Sequence, residues 1–478
     1  MLLSAGRHRR TRTLTIAAAV VCASGAGGVY LGLSGGGAQA ASSTVTVSTA
    51  AQLEAAVKNA TAGTVIQVRA GTYYPAATLK STASGTSSAR ITLRPHGAEK
   101  VTIDGSKLPA GSWLAALHGD YWTVQDLAFV NSPAQGFVAT SSVGGVFRNL
   151  VTADNGDSGF TLRGDGTTGN LVQNLDSHGN HDPAGHGQNA DGTTVKFGSG
   201  TGNRITGARL FDNFDDGLDL WQFSSPVTIE HSWAFGNGEN RRRDPAFEGN
   251  GNGFELGGGG ASVAHVVNNN AAWDNTLHGF TENSNTGAIA LNRNTTYANA
   301  QHGFHFATGK ARLGKNLAVG DKKGPAELGS AAVSTGNDWD SGATPPFRST
   351  DAKGAYAARR ADGSLPATTF LTTGSTTIGS TMDQGLCVQL QGGGGSRRGA
   401  SATDDEAHDD APAGSHLRGR PADRPRGARP GLFDRPEGGS GGPGCRTSDW
   451  GPGHPAAGRP KGGFGPAGAH TCRGVTGS

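Results

Sequence analysis

The stretch "NFDDGLDL", residues 213–220, is one of a family of related segments spread along the chain. The others read "NSPAQGFVA" (131–139), "NGDSGFTL" (155–162), "NADGTTV" (189–195), "NGNGFEL" (250–256), "NTLHGFTE" (275–282) and "NAQHGFHF" (299–306). Each sets an asparagine, then a glycine a few residues on, then a short alternating strand. Asparagines at 131, 155, 180, 213, 237, 275 and 299 are spaced 24, 25, 33, 24, 38 and 24 residues apart, a base period of 24 broken by two insertions. A β-rich unit this short cannot bury an apolar face by itself, so it must stack on its neighbours as a parallel β-helix.

Two positions before each asparagine stand Phe129, Ala153, His178, Phe211, Phe235, Trp273 and Tyr297, a mostly aromatic column expected to stack inside the solenoid. The asparagines themselves are expected to form a hydrogen-bonded ladder in a turn. Upstream, residues 47–74 carry apolar residues at helical spacing from Leu53 to Val57, then strand alternation through Val65, Ile66 and Val68. That pattern predicts a helix capping the open end of the solenoid, followed by the first coil. The fold class expected is all-β, a parallel β-helix with an N-terminal capping helix. The repeat fades after about residue 330.

The two ends differ from this body. Residues 1–40 open with Arg7, Arg9, Arg10 and Arg12, run through an apolar stretch and close on Ala38-Gln39-Ala40, the pattern of a signal peptide cleaved before Ala41. Residues 385–478 are dense in Gly, Pro, Arg and Asp with no periodic apolar positions, which predicts a disordered tail or an out-of-frame translation. The formal charge of +3 comes from these ends, which leaves residues 41–384 mildly acidic, with no footprint for nucleic acid. Cys22, Cys387, Cys445 and Cys472 all lie outside the body, so disulfides cannot stabilise it. No other apolar run is long enough to span a bilayer. A secreted protein, monomeric and free of the membrane once mature, is the expectation.

Stacking turns sequence register into proximity. Aligned on Gly192, Gly217 and Gly253, the preceding residues are Asp191, Asp216 and Asn252. Two places after stand Thr194, Asp219 and Glu255, alternating away from the inward Thr193, Leu218 and Phe254. Asp191, Asp215, Asp216, Asp219 and Glu255 thus meet at one corner. Two carboxylates about 5 Å apart repel by roughly 3 kcal/mol at an effective dielectric of 20, so the cluster calls for a cation. An oxygen-only donor set favours Ca²⁺ over Zn²⁺. The insertions "HDPAGHGQ" (181–188) and "ENRRRDPAFEG" (239–249) enter just before this strand on the flanking coils and would wall a groove across it.

"NADG", "NFDDGLDL" and "GNGNGFELGG" together resemble the family 9 polysaccharide lyases, secreted right-handed β-helix pectate lyases, over most of residues 47–310. The resemblance implies that Asp191, Asp215, Asp216 and Asp219 bind calcium, that Lys196 is a strand lysine of the fold, and that an acidic polysaccharide such as pectate is cleaved by β-elimination. It also marks a departure, because the family's lysine base is Glu255 here. Glutamate beside a dication is held ionised and made less basic. Glu255 is therefore read as a further ligand ahead of a base, and if catalysis survives without the lysine the base is Glu255 itself, Lys196 or an arginine of 241–243. Arg241, Arg242 and Arg243 are expected to bind polyanionic sugar or to sit in a solvated loop, and Trp221 to stack on a sugar ring or pack against an insertion. Two rival readings remain: a non-catalytic calcium-dependent polysaccharide binder, and an inverting glycoside hydrolase using Asp216 with Asp219 or Glu255. The hydrolase is disfavoured because the following coils show no convincing His/Arg/Lys substrate cluster.

Overall fold

The computed structural model describes residues 43–374 and 377–383. The expected signal segment 1–40 and the tail 385–478 lie outside the described residues. Successive strands go to three different sheets of twelve, ten and ten strands. One coil consists of Asn203–Thr206, Arg209–Phe211 and Leu218–Asp219. The next consists of Val227–Glu230, Trp233–Phe235 and Phe254–Glu255, and pairs with the first in parallel, strand for strand. The chain is a parallel β-helix, as the repeat requires.

Inward positions superimpose from coil to coil. Thr193, Leu218, Phe254, Phe280 and Phe304 form one such column, in which Phe254, Phe280 and Phe304 stack face to face at 4.7 and 5.1 Å. Each buried ring of this kind contributes about 1.5–3 kcal/mol. The repeat glycines follow from the same stacking. A Cβ on Gly217 would lie 2.6 Å from the carbonyl oxygen of Gly253, and one on Gly192 equally close to that of Gly217.

The asparagine ladder is present. Each Nδ2 donates to the next Oδ1 along Asn155, Asn180, Asn213, Asn237, Asn275 and Asn299 at 2.8–3.0 Å, ending on Asp321. The first repeat is out of register by one: Ser132 donates its N–H to Asn155 Oδ1, while Asn131 sits at φ 56° where the following coil has Asp154 at φ 55°. A second ladder, which the repeat did not reveal, runs through Asn270, Asn294, Asn316 and Asn337.

The aromatic column is stacked but not internal. His178, Phe211, Phe235 and Trp273 lie ring on ring at 4.2–5.0 Å, yet the inward residues of these strands are Leu210, Ala234 and Ala272. The aromatic rings project outward and form a separate cluster. Only Phe129 of the proposed column is internal, because it pairs with Thr152 and not with Ala153. The outer rings are covered by the segment after residue 342, which runs back over the sheet. Tyr356 packs edge-on against Phe211 and Phe235 at 5.7 and 5.1 Å, and Phe370 against Trp273 at 5.0 Å. Arg209 and Arg359 both bind Asp176, each at 2.6 Å, and Arg209 also donates to the carbonyls of Ala355 and Ala357. Burial works to raise the Asp176 pKa, but the two guanidinium groups outweigh it and hold it below the ordinary value.

The repeat also persists further than its sequence signature, through the strands Ala326–Leu328 and Val333–Thr335. At the other end the helix Ala50–Lys58 buries Leu53 and Val57 and starts at a capping box of Thr49 and Gln52. A strand the sequence did not signal, Ser43–Val47, precedes it and extends the twelve-stranded sheet.

Candidate cation and substrate site

Strand register delivers the acidic corner. Thr194 pairs with Asp219 and Asp219 with Glu255 on successive coils, and the Asp216 N–H reaches Asp191 Oδ1 at 3.3 Å. Oxygens of Asp191, Asp216 and Asp219 lie within 4.8 Å of one another. Asp215 stands beside this triad, its Oδ1 accepting the Asn250 N–H at 2.8 Å. All four aspartates and Glu255 are buried. The insertions meet across the intervening coil: His186 Nδ1 lies 2.9 Å from Asp244, and Gln188 donates to Glu248 at 2.6 Å. Phe247 closes on Phe214, the neighbour of Asp215.

Five carboxylates here share one ammonium. Lys196 Nζ bridges Asp191 Oδ2 at 2.8 Å and Asp219 Oδ2 at 2.7 Å. Burial acts to lower its pKa, but the two aspartates win and hold it well above the ordinary value. One cation is not enough for the rest. Burial, then Glu255 and Asp215, push Asp216 far up. Burial, partly opposed by Lys196, lifts Asp219 to about 6. Burial and Asp219 lift Glu255 to about 8. Oxygen-only donors converging in a desolvated site that resists ionisation fit a hard divalent cation.

The corner opens into a cavity of about 420 Å³ lined by Lys196, Asp215, Asp216, Asp219, Trp221 and Glu255, among others. Trp221 thus borders the site, and its backbone N–H donates to Asp219 Oδ1 at 2.8 Å. The arginines do not line this cavity. Arg241 pairs with Asp212 and Glu239 on the far side of the turn, and Arg242 lies near His181. Arg241 anchors the insertion, because Asp212 offers it a carboxylate at 2.7 Å.

Sequence reasoning missed the amides. Asn252 donates to Glu255 Oε2 at 3.2 Å, and Asn283 donates to Oε1. It also missed a histidine stack on the following coils, His278, His302 and His305, with ring centroids 4.3–6.1 Å apart. A second cavity of about 400 Å³, lined by His278 and His305, shares Asn250, Glu255 and Asn283 with the first. The "LHGF" and "QHGF" repeats held that signal, since both histidines precede the repeat glycine as Asp216 does.

Fold and site together define a parallel β-helix protein whose oxygen-ligand corner suits a hard cation. The chain belongs to the family described as "Pel9A-like, right handed beta helix region", whose model matches residues 33–316. It is 38% identical over 358 residues to Pectate lyase PEL9 of Emericella nidulans, covering 67% of this chain and 86% of that protein. It is 33% identical over 337 residues to Pectate lyase L of Dickeya chrysanthemi, covering 66% and 76%. The crystal structure of pectate lyase Pel9A superposes with a TM-score of 0.61 at 30% identity, over 67% of this chain and 83% of that one.

Proposed function

We propose that this chain is a secreted, calcium-dependent polysaccharide lyase that cleaves a pectate-like uronan by β-elimination. The observation that carries the reading is the cluster of Asp191, Asp216, Asp219 and Glu255 over three consecutive coils, with Asp216, Asp219 and Glu255 lining one cavity. Similarity to pectate lyases supports the substrate class. The leader sequence supports secretion.

Asp191, Asp215, Asp216 and Asp219 would hold Ca²⁺, which would supply attraction for a uronate carboxylate and acidity to the adjacent C5 proton. Glu255 is the base. It lines both the acidic cavity and the one beyond it, and Asn252 and Asn283 fix its two oxygens. Burial and Asp219 favour its protonated form, and a bound Ca²⁺ would oppose them and keep Glu255 in the carboxylate form that can accept a proton. Glu255 takes the C5 proton, the released electron pair forms the C4=C5 double bond, and the C4–O4 bond breaks. The leaving O4 takes a proton from water. Lys196, locked as an ammonium by Asp191 and Asp219, orients those two carboxylates and accepts no proton.

The test is turnover of polygalacturonate by the purified chain, followed by the ultraviolet absorbance of unsaturated ends. Absorbance that depends on calcium and stops with a chelator is expected. Glu255→Gln should lower kcat by about 10²- to 10⁴-fold, the usual worth of a general base. Reducing ends without absorbance would instead establish a hydrolase, and retention on pectate without turnover a binder.

A further inference from the structure

Arg163 stands one coil back from Lys196. Their Cα atoms are paired in the parallel ladder, and both side chains alternate outward from the buried Leu162 and Val195. Neighbouring strands lie about 4.8 Å apart, so Arg163 leaves the sheet next to Lys196, and its guanidinium lies against Phe197, which lines the acidic cavity. Lys196 is committed to Asp191 and Asp219. Arg163 carries no such commitment: among the described residues, none accepts a hydrogen bond from its guanidinium and no carboxylate pairs with it.

Two aromatic rings fix its position instead. The guanidinium carbon lies 5.7 Å from the ring centroid of Trp113 and 5.5 Å from that of Phe197. Phe197 lines the acidic cavity and is 48% exposed. Its φ of 51° is one that few bulky residues adopt. A planar cation with free donors, held by an exposed aromatic ring, matches a carboxylate on a sugar whose apolar face rests on that ring. A polyuronate bears a carboxylate on every unit. While one unit engages the acidic corner, its neighbour needs a cation of its own.

We propose that Arg163, clamped between Trp113 and Phe197, binds the carboxylate of the uronate unit adjoining the one at the acidic corner, with Phe197 as the platform under its ring. The proposal rests on the reading of that corner as a uronan site. It makes Arg163 a determinant of preference for free over esterified uronate, with no part in the proton transfer.

The experiment compares the full-length wild-type chain with Arg163→Gln and Arg163→Lys, on polygalacturonate and on its partially methyl-esterified form. A lost charge-assisted pair should raise KM for polygalacturonate about 10- to 100-fold in Arg163→Gln while kcat changes little. Arg163→Lys should fall between, and the penalty in both variants should shrink on the partially esterified polymer, where fewer adjoining units carry a free carboxylate. An unchanged KM, or equal losses on both polymers, would overturn the proposal, the latter pointing to a structural role. Retention on immobilised polygalacturonate, measured in parallel, separates the two readings. Weaker retention of Arg163→Gln with an inert wild-type chain would sink the lyase and keep the subsite. Wild-type turnover that Arg163→Gln leaves intact would do the reverse, and a wild-type chain neither retained nor active would end both.

Discussion

Removing the Lys196 ammonium would leave Asp191 and Asp219 facing each other across the gap it fills, both buried. Breaking a buried ion pair costs about 3–5 kcal/mol, so Lys196→Met should lose that much stability in the presence of a chelator. Calcium should restore much of it, since a ligand at about 100 times its Kd adds roughly 2.7 kcal/mol. Urea unfolding of both chains with and without calcium measures the difference. His265 makes a second prediction. It is fully buried, its Nδ1 accepts the Val227 N–H at 3.2 Å, and burial drives its pKa from 6.5 down to about 3. The folded state therefore resists a proton that the unfolded chain takes readily. Its contribution is complete above pH 6.5 and is lost as pH falls toward 3, at up to about 1.4 kcal/mol per pH unit. His265→Gln, which keeps an acceptor, should flatten the acid limb of stability between pH 6 and pH 4, read by denaturant midpoints at each pH. Asp191, Asp216 and Asp219 were legible because a fixed stacking register makes spacing equivalent to contact. Asn283 and Lys196 were not, because their role depends on where a side chain turns after leaving the strand.

At the scale of elements, the asparagine ladder is one continuous object. Asn237 Oδ1 accepts both the backbone and side-chain N–H of Asn213, and its Nδ2 donates to Asn275 and to the Leu210 carbonyl. Asn237→Leu would strand several buried polar groups at about 1–3 kcal/mol each. A loss of about 3 kcal/mol or more is expected in urea unfolding, far beyond that of a substitution at an exposed turn. The ladder was legible in the repeat because an amide at a fixed position in each coil has its like above and below. The one-residue slip at Asn131 was not, because asparagine suits both the ladder position and the left-handed position before it. Phe129 is internal because of that slip, whereas the other members of its column are not. The outward direction of Phe211, Phe235 and Trp273 was hidden for a related reason: alternation assigns two faces but does not say which one is covered, and here both are.

What covers the second face decides the behaviour of the whole molecule. The covering segment lays Phe347, Tyr356 and Phe370 against rings from four successive coils, with Met382 in the same buried cluster. Arg359 binds Asp176 at 2.6 Å and the carbonyls of Leu175 and Gly207. Arg359→Met should detach this segment first, with protease cleavage between residues 343 and 383 while the solenoid beneath persists. Fragment masses after brief digestion provide the check, and uniform loss of the entire chain would refute it. A pile of separate storeys ordinarily comes apart from its last floor, each loosening with little warning to those below. Here residues 347–382 descend the outside of the building like a bolted fire escape, so the upper floors cannot peel away until that external tie is cut.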